Sequence, residues 1–175
     1  MAEITTIVST AASVISAIGG AAACIAAFRS AGHAQKAFDQ NQKMEKRFAL
    51  RQLSVTAHQV AVEVDRIKWS AQGLKVAYKT LAVFAGAVDG SRQKLMLQEV
   101  EDKVKAADSI KEKASPFVDL NTLLLNGPLD EINDREVLMS QLLVEATALR
   151  EKTEIELSEI QAQNAMYREN VVQKA

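Results

Sequence analysis

The chain has 175 residues and a formal net charge of −1, enough for one sizeable core and without a global field to attract nucleic acid. Hydrophobic residues make up 48% but aromatics only 5%, and two prolines with seven glycines leave little punctuation, which favours a few long helices. A single cysteine, Cys24, excludes an internal disulfide framework, and no alternating Val/Ile/Thr runs between turn signals suggest strands.

The first element is the run ITTIVSTAASVISAIGGAAACIAAF, Ile4 to Phe28, with no charged residue between Glu3 and Arg29. As a helix rising about 1.5 Å per residue it reaches roughly 37 Å, more than a hydrocarbon core of about 30 Å. A cleaved signal peptide fits less well. The segment before the run holds Glu3 and no Lys or Arg, and the run exceeds the usual apolar core of such peptides. On a helical wheel Ile4, Ile7, Val8, Val14, Ile15, Ile18, Ile25 and Phe28 share one side. The other side carries Ser9, Ser13, Ser16, Gly20, Ala23 and Ala27, small residues at the spacing that lets helix backbones approach closely in lipid. This face is the expected helix-packing or pore-lining surface. The competing reading is a helix buried in a soluble oligomer, since positions 4, 7, 11, 14, 18, 21, 25 and 28 are all apolar. A soluble helix spends its outer face on Lys and Glu, and none occurs here, so residues 1–29 read as a transmembrane helix.

Arg29, His33, Lys36, Lys43, Lys46, Arg47 and Arg51 follow the run against Asp39 and Glu45. This excess of basic residues places the amino terminus outside and the rest of the chain in the cytoplasm. Arg29, Lys36, Lys43, Lys46 and Arg47 are the expected contacts to lipid headgroups. Residues 30–49 form a polar, Gln-rich stalk, with Gly32 as a possible hinge.

A helical bundle is expected over residues 50–175, with helices near 50–88, 92–114, 116–125 and 130–171. In the first of these, Leu53, Val60, Ile67, Leu74 and Leu81 recur every seven residues, with Leu50, Ala57, Val64, Ala71, Tyr78 and Ala85 as the companion series. Val55, Val62, Trp69, Val76 and Val83 recur likewise on the far side, which predicts a helix buried on both sides, either central in a bundle or shared between subunits. Leu53, Val60, Ile67, Trp69, Leu74 and Leu81 are therefore the expected bundle interface, with Trp69 a core residue. Asp89 or Ser91 caps the second helix, whose stripe is Leu97, Val100, Val104 and Ala107 with Ile110 beside it. Ser115-Pro116 opens a short helix carrying Phe117, Leu120, Leu123, Leu124 and Leu125, and Asn126-Gly127-Pro128 ends it. Asn133 and Glu136 fit a capping box for the last helix. Its seam reads Leu138, Leu142, Leu149, Leu157, Ile160, Tyr167 and Val171, interrupted by a stutter near Thr153.

Chemistry-bearing motifs are sparse. His33 and His58 are isolated, Cys24 lies in the apolar run, and Gly19-Gly20 follows no strand, so no metal, cofactor or catalytic site is expected. The acidic clusters around Glu99–Asp102 and Glu151–Glu159 alternate with lysines as solvated helix faces do. The sequence thus predicts an all-α, non-enzymatic, membrane-anchored scaffold. Its expected partners are lipid, further copies of itself or another helical protein, with nucleic acid not expected. An oligomeric pore or translocation-channel component is the alternative reading, and a soluble helical oligomer the third. The composition resembles that of helical pore-forming toxins and of small phage proteins ejected into the host envelope, a likeness without a diagnostic motif.

Overall fold

The protein was analysed as a computed structural model that describes the backbone of residues 2–118 and 127–174. Side-chain environments are described for residues 23, 24, 26–118 and 127–170. Three long helices carry the fold: α1 (Ala2–Phe84), α2 (Ser91–Ala114) and α3 (Leu129–Lys174). A single 3-10 turn, Ser115–Phe117, prolongs α2, and no strand occurs among the described residues.

The chain divides into two compact units, Met1–Glu45 and Lys46–Ala175. In the first unit the described side chains are exposed, Phe28, Phe38 and Met44 among them. Gly32 lies inside α1 as an ordinary helical residue, so the expected hinge coincides with no break in the helix. The second unit begins at Lys46, ahead of the heptad onset at Leu50, because Ala49 already packs into the core.

Within this second unit the helices run up, down and up. Lys75, Lys68 and Asp65 of α1 pair with Glu101, Asp108 and Lys111 of α2, so each step down one helix matches an equal step up the other. That constant register defines an antiparallel pair. Between α1 and α3 the partners advance together, from Glu63 with Arg150 to Ala77 with Asn164, which makes them parallel.

Both heptad series of the inner face of α1 are buried, from Leu50 and Leu53 to Leu74 and Tyr78. Leu53, Val60, Val64, Ile67 and Leu74 are at most 1% exposed, and each large aliphatic side chain so buried contributes about 1.5–3 kcal/mol. They form two clusters. One joins α1 from Ala49 to Ile67 with Ala107, Ile110, Met139 and Leu142; the other joins Ala71 to Tyr78 with Val100 and Ile160.

The seam of α3 differs from its sequence reading. Ile132, Met139, Ala146, Thr153 and Ile160 are buried at an unbroken spacing of seven, whereas Leu138 is 37% exposed. No stutter is needed: Thr153 occupies a core position, and its hydroxyl is satisfied by donating to the Leu149 carbonyl at 2.7 Å. The far stripe of α1 also departs from expectation. Val55, Val62, Trp69, Val76 and Val83 are exposed, Trp69 by 82%, so within one chain α1 is buried on one side only. Trp69 is therefore not a core residue of this bundle. α2 and α3 cover the inner seam, and among the described residues no helix covers the outer one.

Helix ends show local chemistry that spacing alone did not place. α1 ends at Phe84, short of Val88, because Gly86 takes a left-handed conformation with φ of 64°. The Ala87 and Gly86 N–H groups return to the Ala82 and Val83 carbonyls, a Schellman closure. A Cβ on Gly86 would meet nothing within 4 Å, so the cost of Gly86→Ala is purely conformational. We expect this substitution to lower unfolding free energy by about 1–2 kcal/mol, with Gly86→Asn recovering part of the loss in the same denaturation assay. An unchanged midpoint for Gly86→Ala would contradict the assigned closure.

Neither Asp89 nor Ser91 caps α2. Gly90 holds the N-cap position, and the buried Gln93 side chain accepts the Asp89 N–H at 2.6 Å. Ser115 caps the end of α2, its hydroxyl donating to the Glu112 carbonyl at 3.0 Å, and also begins the 3-10 turn Ser115–Phe117; the continuation of the expected short helix lies outside the described residues. α3 starts at Leu129 with Asp130 and Glu131 in its first turn, where the helix dipole favours acidic groups, so Asn133 sits inside the helix rather than at a cap. The apolar patch from Leu120 to Leu125 lies outside the described residues.

Candidate functional site

Three regions bear on function: the amino-terminal run with its basic flank, a polar layer inside the bundle, and the outer face of α1. Ser9, Ser13, Ser16 and Gly20 of the small-residue face lie outside the described side chains, while Ala23 and Ala27 are exposed. Among the described residues no helix is long and apolar enough to cross a membrane.

In the basic flank Arg29, Lys36 and Lys43 are exposed at intervals of seven, which puts them on one strip of helix surface, and His33 falls beside them. Arg47 is exposed too. Lys46 is not available in the same way. It is partly buried, and its ammonium donates to the Gly127 carbonyl at 2.5 Å, fastening the start of α3 against α1. Ser54 makes a similar tie, its hydroxyl donating to the Val118 carbonyl at 3.0 Å.

The polar layer was missed by sequence reasoning. Tyr78 of α1, Lys103 of α2 and Glu156 of α3 converge among apolar neighbours. The Tyr78 hydroxyl donates to Glu156 Oε1 at 2.5 Å, and the Lys103 ammonium bonds Oε2 of the same carboxylate. Burial raises the Tyr78 phenol well above its ordinary range, and its bond to Glu156 and the charges of Glu156, Glu99 and Glu159 raise it further. Burial pushes the Glu156 carboxyl up, but the bonds from Lys103 and Tyr78 and the charges of Lys103 and Lys152 outweigh it, leaving a net depression. The layer therefore holds a neutral phenol, an ammonium and a carboxylate in one fixed arrangement. Its chemistry is that of a register lock: a shift of α2 or α3 would separate the Lys103–Glu156 ion pair, and a shift of α1 would break the bond from the Tyr78 phenol to the carboxylate.

A signal for this layer was present in the heptads. Glu156 falls in the series Leu142, Leu149, Glu156, and Lys103 falls in Met96, Lys103, Ile110. Beside the layer, Leu81, Gln93, Met96, Gln163 and Tyr167 line a cavity of about 130 Å³ that opens at the end of the bundle. Phe84 stacks on Tyr167 there, with ring centroids 6.5 Å apart.

The outer face of α1 is framed by charge. On the α2 side stand the three ion pairs of Asp65, Lys68 and Lys75. On the α3 side Arg150 reaches Glu63 at 3.1 Å and also approaches Glu151 and Glu154. Val62, Asp65, Arg66 and Trp69 form an open groove with Arg150 and Glu154. Among the described residues no group of three or more His, Cys, Asp or Glu side chains is placed to hold a metal ion. Comparison with protein families, with curated proteins and with solved structures finds no match for this chain.

Proposed function

We propose that this protein is a membrane-anchored, non-enzymatic helical scaffold that assembles with copies of itself. In this reading Ile4–Phe28 enters the bilayer with the amino terminus outside, and the helical unit is displayed in the cytoplasm. Arg29, Lys36, Lys43 and Arg47 meet anionic headgroups. Lys46 is removed from that set, because its ammonium is engaged by the Gly127 carbonyl. The carrying observation is the absence of any charge between Glu3 and Arg29, over a length sufficient for a bilayer. The exposed apolar stripe of α1 supports the assembly half of the reading, since a lone bundle gains nothing from it.

Full-length protein expressed in cells should remain with the membrane pellet after alkaline carbonate extraction, whereas a chain starting at Ser30 should be released. Quantitative release of the full-length chain would remove the integral anchor from the proposal. Leakage of a trapped dye from vesicles carrying the protein would replace the scaffold with a pore.

A further inference from the structure

We propose that two copies of this chain pair in parallel along the outer face of α1, on a seam that runs from Phe48 to Val83. The inference rests on the membrane-anchored, self-assembling reading and narrows it to one surface and one direction.

Phe48, Val55, Val62, Trp69, Val76 and Val83 recur every seven residues over about 52 Å of helix. All six are exposed, from 48% at Val55 to 82% at Trp69. Together they present on the order of 700 Å² per chain, most of the roughly 800 Å² per partner of a specific interface. The inner seam packs against α2 and α3 with the same repeat, so the outer face offers another helix equivalent knobs and holes.

A second copy is the occupant because it carries the same run at the same phase. Counted back along the sequence from Phe48, the spacing of seven passes Asn41 and Ala34 to Ala27, Gly20 and Ser13. The last three belong to the small-residue face that suits close helix pairing in lipid. Asn41, which is exposed, is the one amide in the series. In a parallel pair it meets its own copy, and a lone Asn in such a seam specifies register and strand number.

The anchor and the edge charges select the direction. Copies held in one membrane by Ile4–Phe28 send α1 away from it the same way, so their outer faces meet in parallel. On the wheel Asp65 and Arg66 flank the stripe on opposite edges, level with each other between Val62 and Trp69. A parallel pair sets Asp65 of each copy beside Arg66 of the other, giving one ion pair on either side of the seam. Asp65 and Arg66 already contact Lys111 and Glu63 of their own chain, yet their side chains stay 57 and 56% exposed. The other edge positions bring His58 to Gln59, Gln72 to Gly73 and Lys79 to Thr80, so no like charges meet. An antiparallel pair centred on Trp69 makes neither ion pair and sets His58 beside Lys79.

The test uses the full chain in mild detergent with Cys24→Ser as background. A short bismaleimide should link Val62→Cys to itself and Val76→Cys to itself, while Lys94→Cys, at an exposed site on α2, stays monomeric. Mixed dimers of Val62→Cys with Val76→Cys that exceed the self-linked ones would overturn the parallel direction. A chain retained by the membrane that links in none of these arrangements would overturn the dimer and leave the anchored scaffold standing. A chain released by carbonate yet self-linked at both positions would keep the dimer and remove the anchor. Asp65→Arg should weaken dimerisation by about tenfold, and Asp65→Arg combined with Arg66→Asp should restore it. Trp69→Glu should keep the far-UV helical signal and weaken dimerisation by about 30-fold or more. An unaltered dimer in Trp69→Glu, or a double charge variant as weak as Asp65→Arg alone, would overturn the inference.

Discussion

Replacing Ile67 with alanine should lower the unfolding free energy of the bundle by about 2–5 kcal/mol, while Trp69→Ala, two residues on, should change it by less than about 1 kcal/mol. Ile67 is fully buried between α2 and α3, and its removal leaves a cavity that rigid neighbouring helices cannot fill. Trp69 is 82% exposed and loses little packing within its own chain. The comparison belongs in dilute protein, followed by far-UV circular dichroism through a denaturant titration, because self-association would add a concentration-dependent term at Trp69. A larger loss at Trp69 than at Ile67 under these conditions would invert the assignment of inner and outer faces. The Trp69→Ala effect should grow with protein concentration and the Ile67→Ala effect should persist on dilution. That separation makes one titration series informative about both the core and the interface.

The two faces also show what periodicity can and cannot tell. Leu53, Val60, Ile67 and Leu74 repeat no more regularly than Val55, Val62, Trp69 and Val76, yet one set is buried and the other exposed. A heptad fixes an angular position on a helix, and only the number of neighbouring helices decides whether that position is covered. The α1 seam and the α2 stripe were legible because nearly every member is apolar. On α3 the rule of apolar residues misled, choosing Leu138 over Met139 and reading Thr153 as a defect. The true seam admits Thr153 because its hydroxyl can turn back to a carbonyl, and Glu156 because partners on two other helices neutralise it. Those partners lie far away in sequence, so a local pattern could not reveal them. Helix ends fared similarly. Gly86 lay inside the predicted helix, and what terminates α1 is its backbone conformation rather than a change of composition.

The polar layer yields a pH dependence whose sign can be worked out. Glu156 titrates lower in the folded chain than in the unfolded one. Such a group stabilises the fold above its unfolded pKa, and the contribution is lost as pH falls through the folded value. Acidification below the ordinary carboxylate range of about 4 should therefore weaken the bundle as the bonds to Lys103 and Tyr78 are lost. At neutral pH Glu156→Gln should cost about 1–3 kcal/mol: its amide can still accept from Tyr78 but turns a donor toward the Lys103 ammonium. The side chains of Lys103 and Glu156 retain 13% and 22% exposure, so the loss stays below that of breaking a fully buried pair. The gap between wild type and variant should close as pH falls, since the acid form of Glu156 has lost the same charge. Tyr78 acts at the other end of the scale. Its phenol titrates higher when folded, so its contribution is complete below the unfolded value of 10.0 and declines as pH rises beyond it. Tyr78→Phe should therefore flatten the alkaline limb while leaving the acid limb in place. Urea unfolding at intervals between pH 3 and pH 11 would read both limbs. A gap between wild type and Glu156→Gln that stays constant across the acid range would remove the ionised carboxylate from the account, and with it the register lock it is held to form.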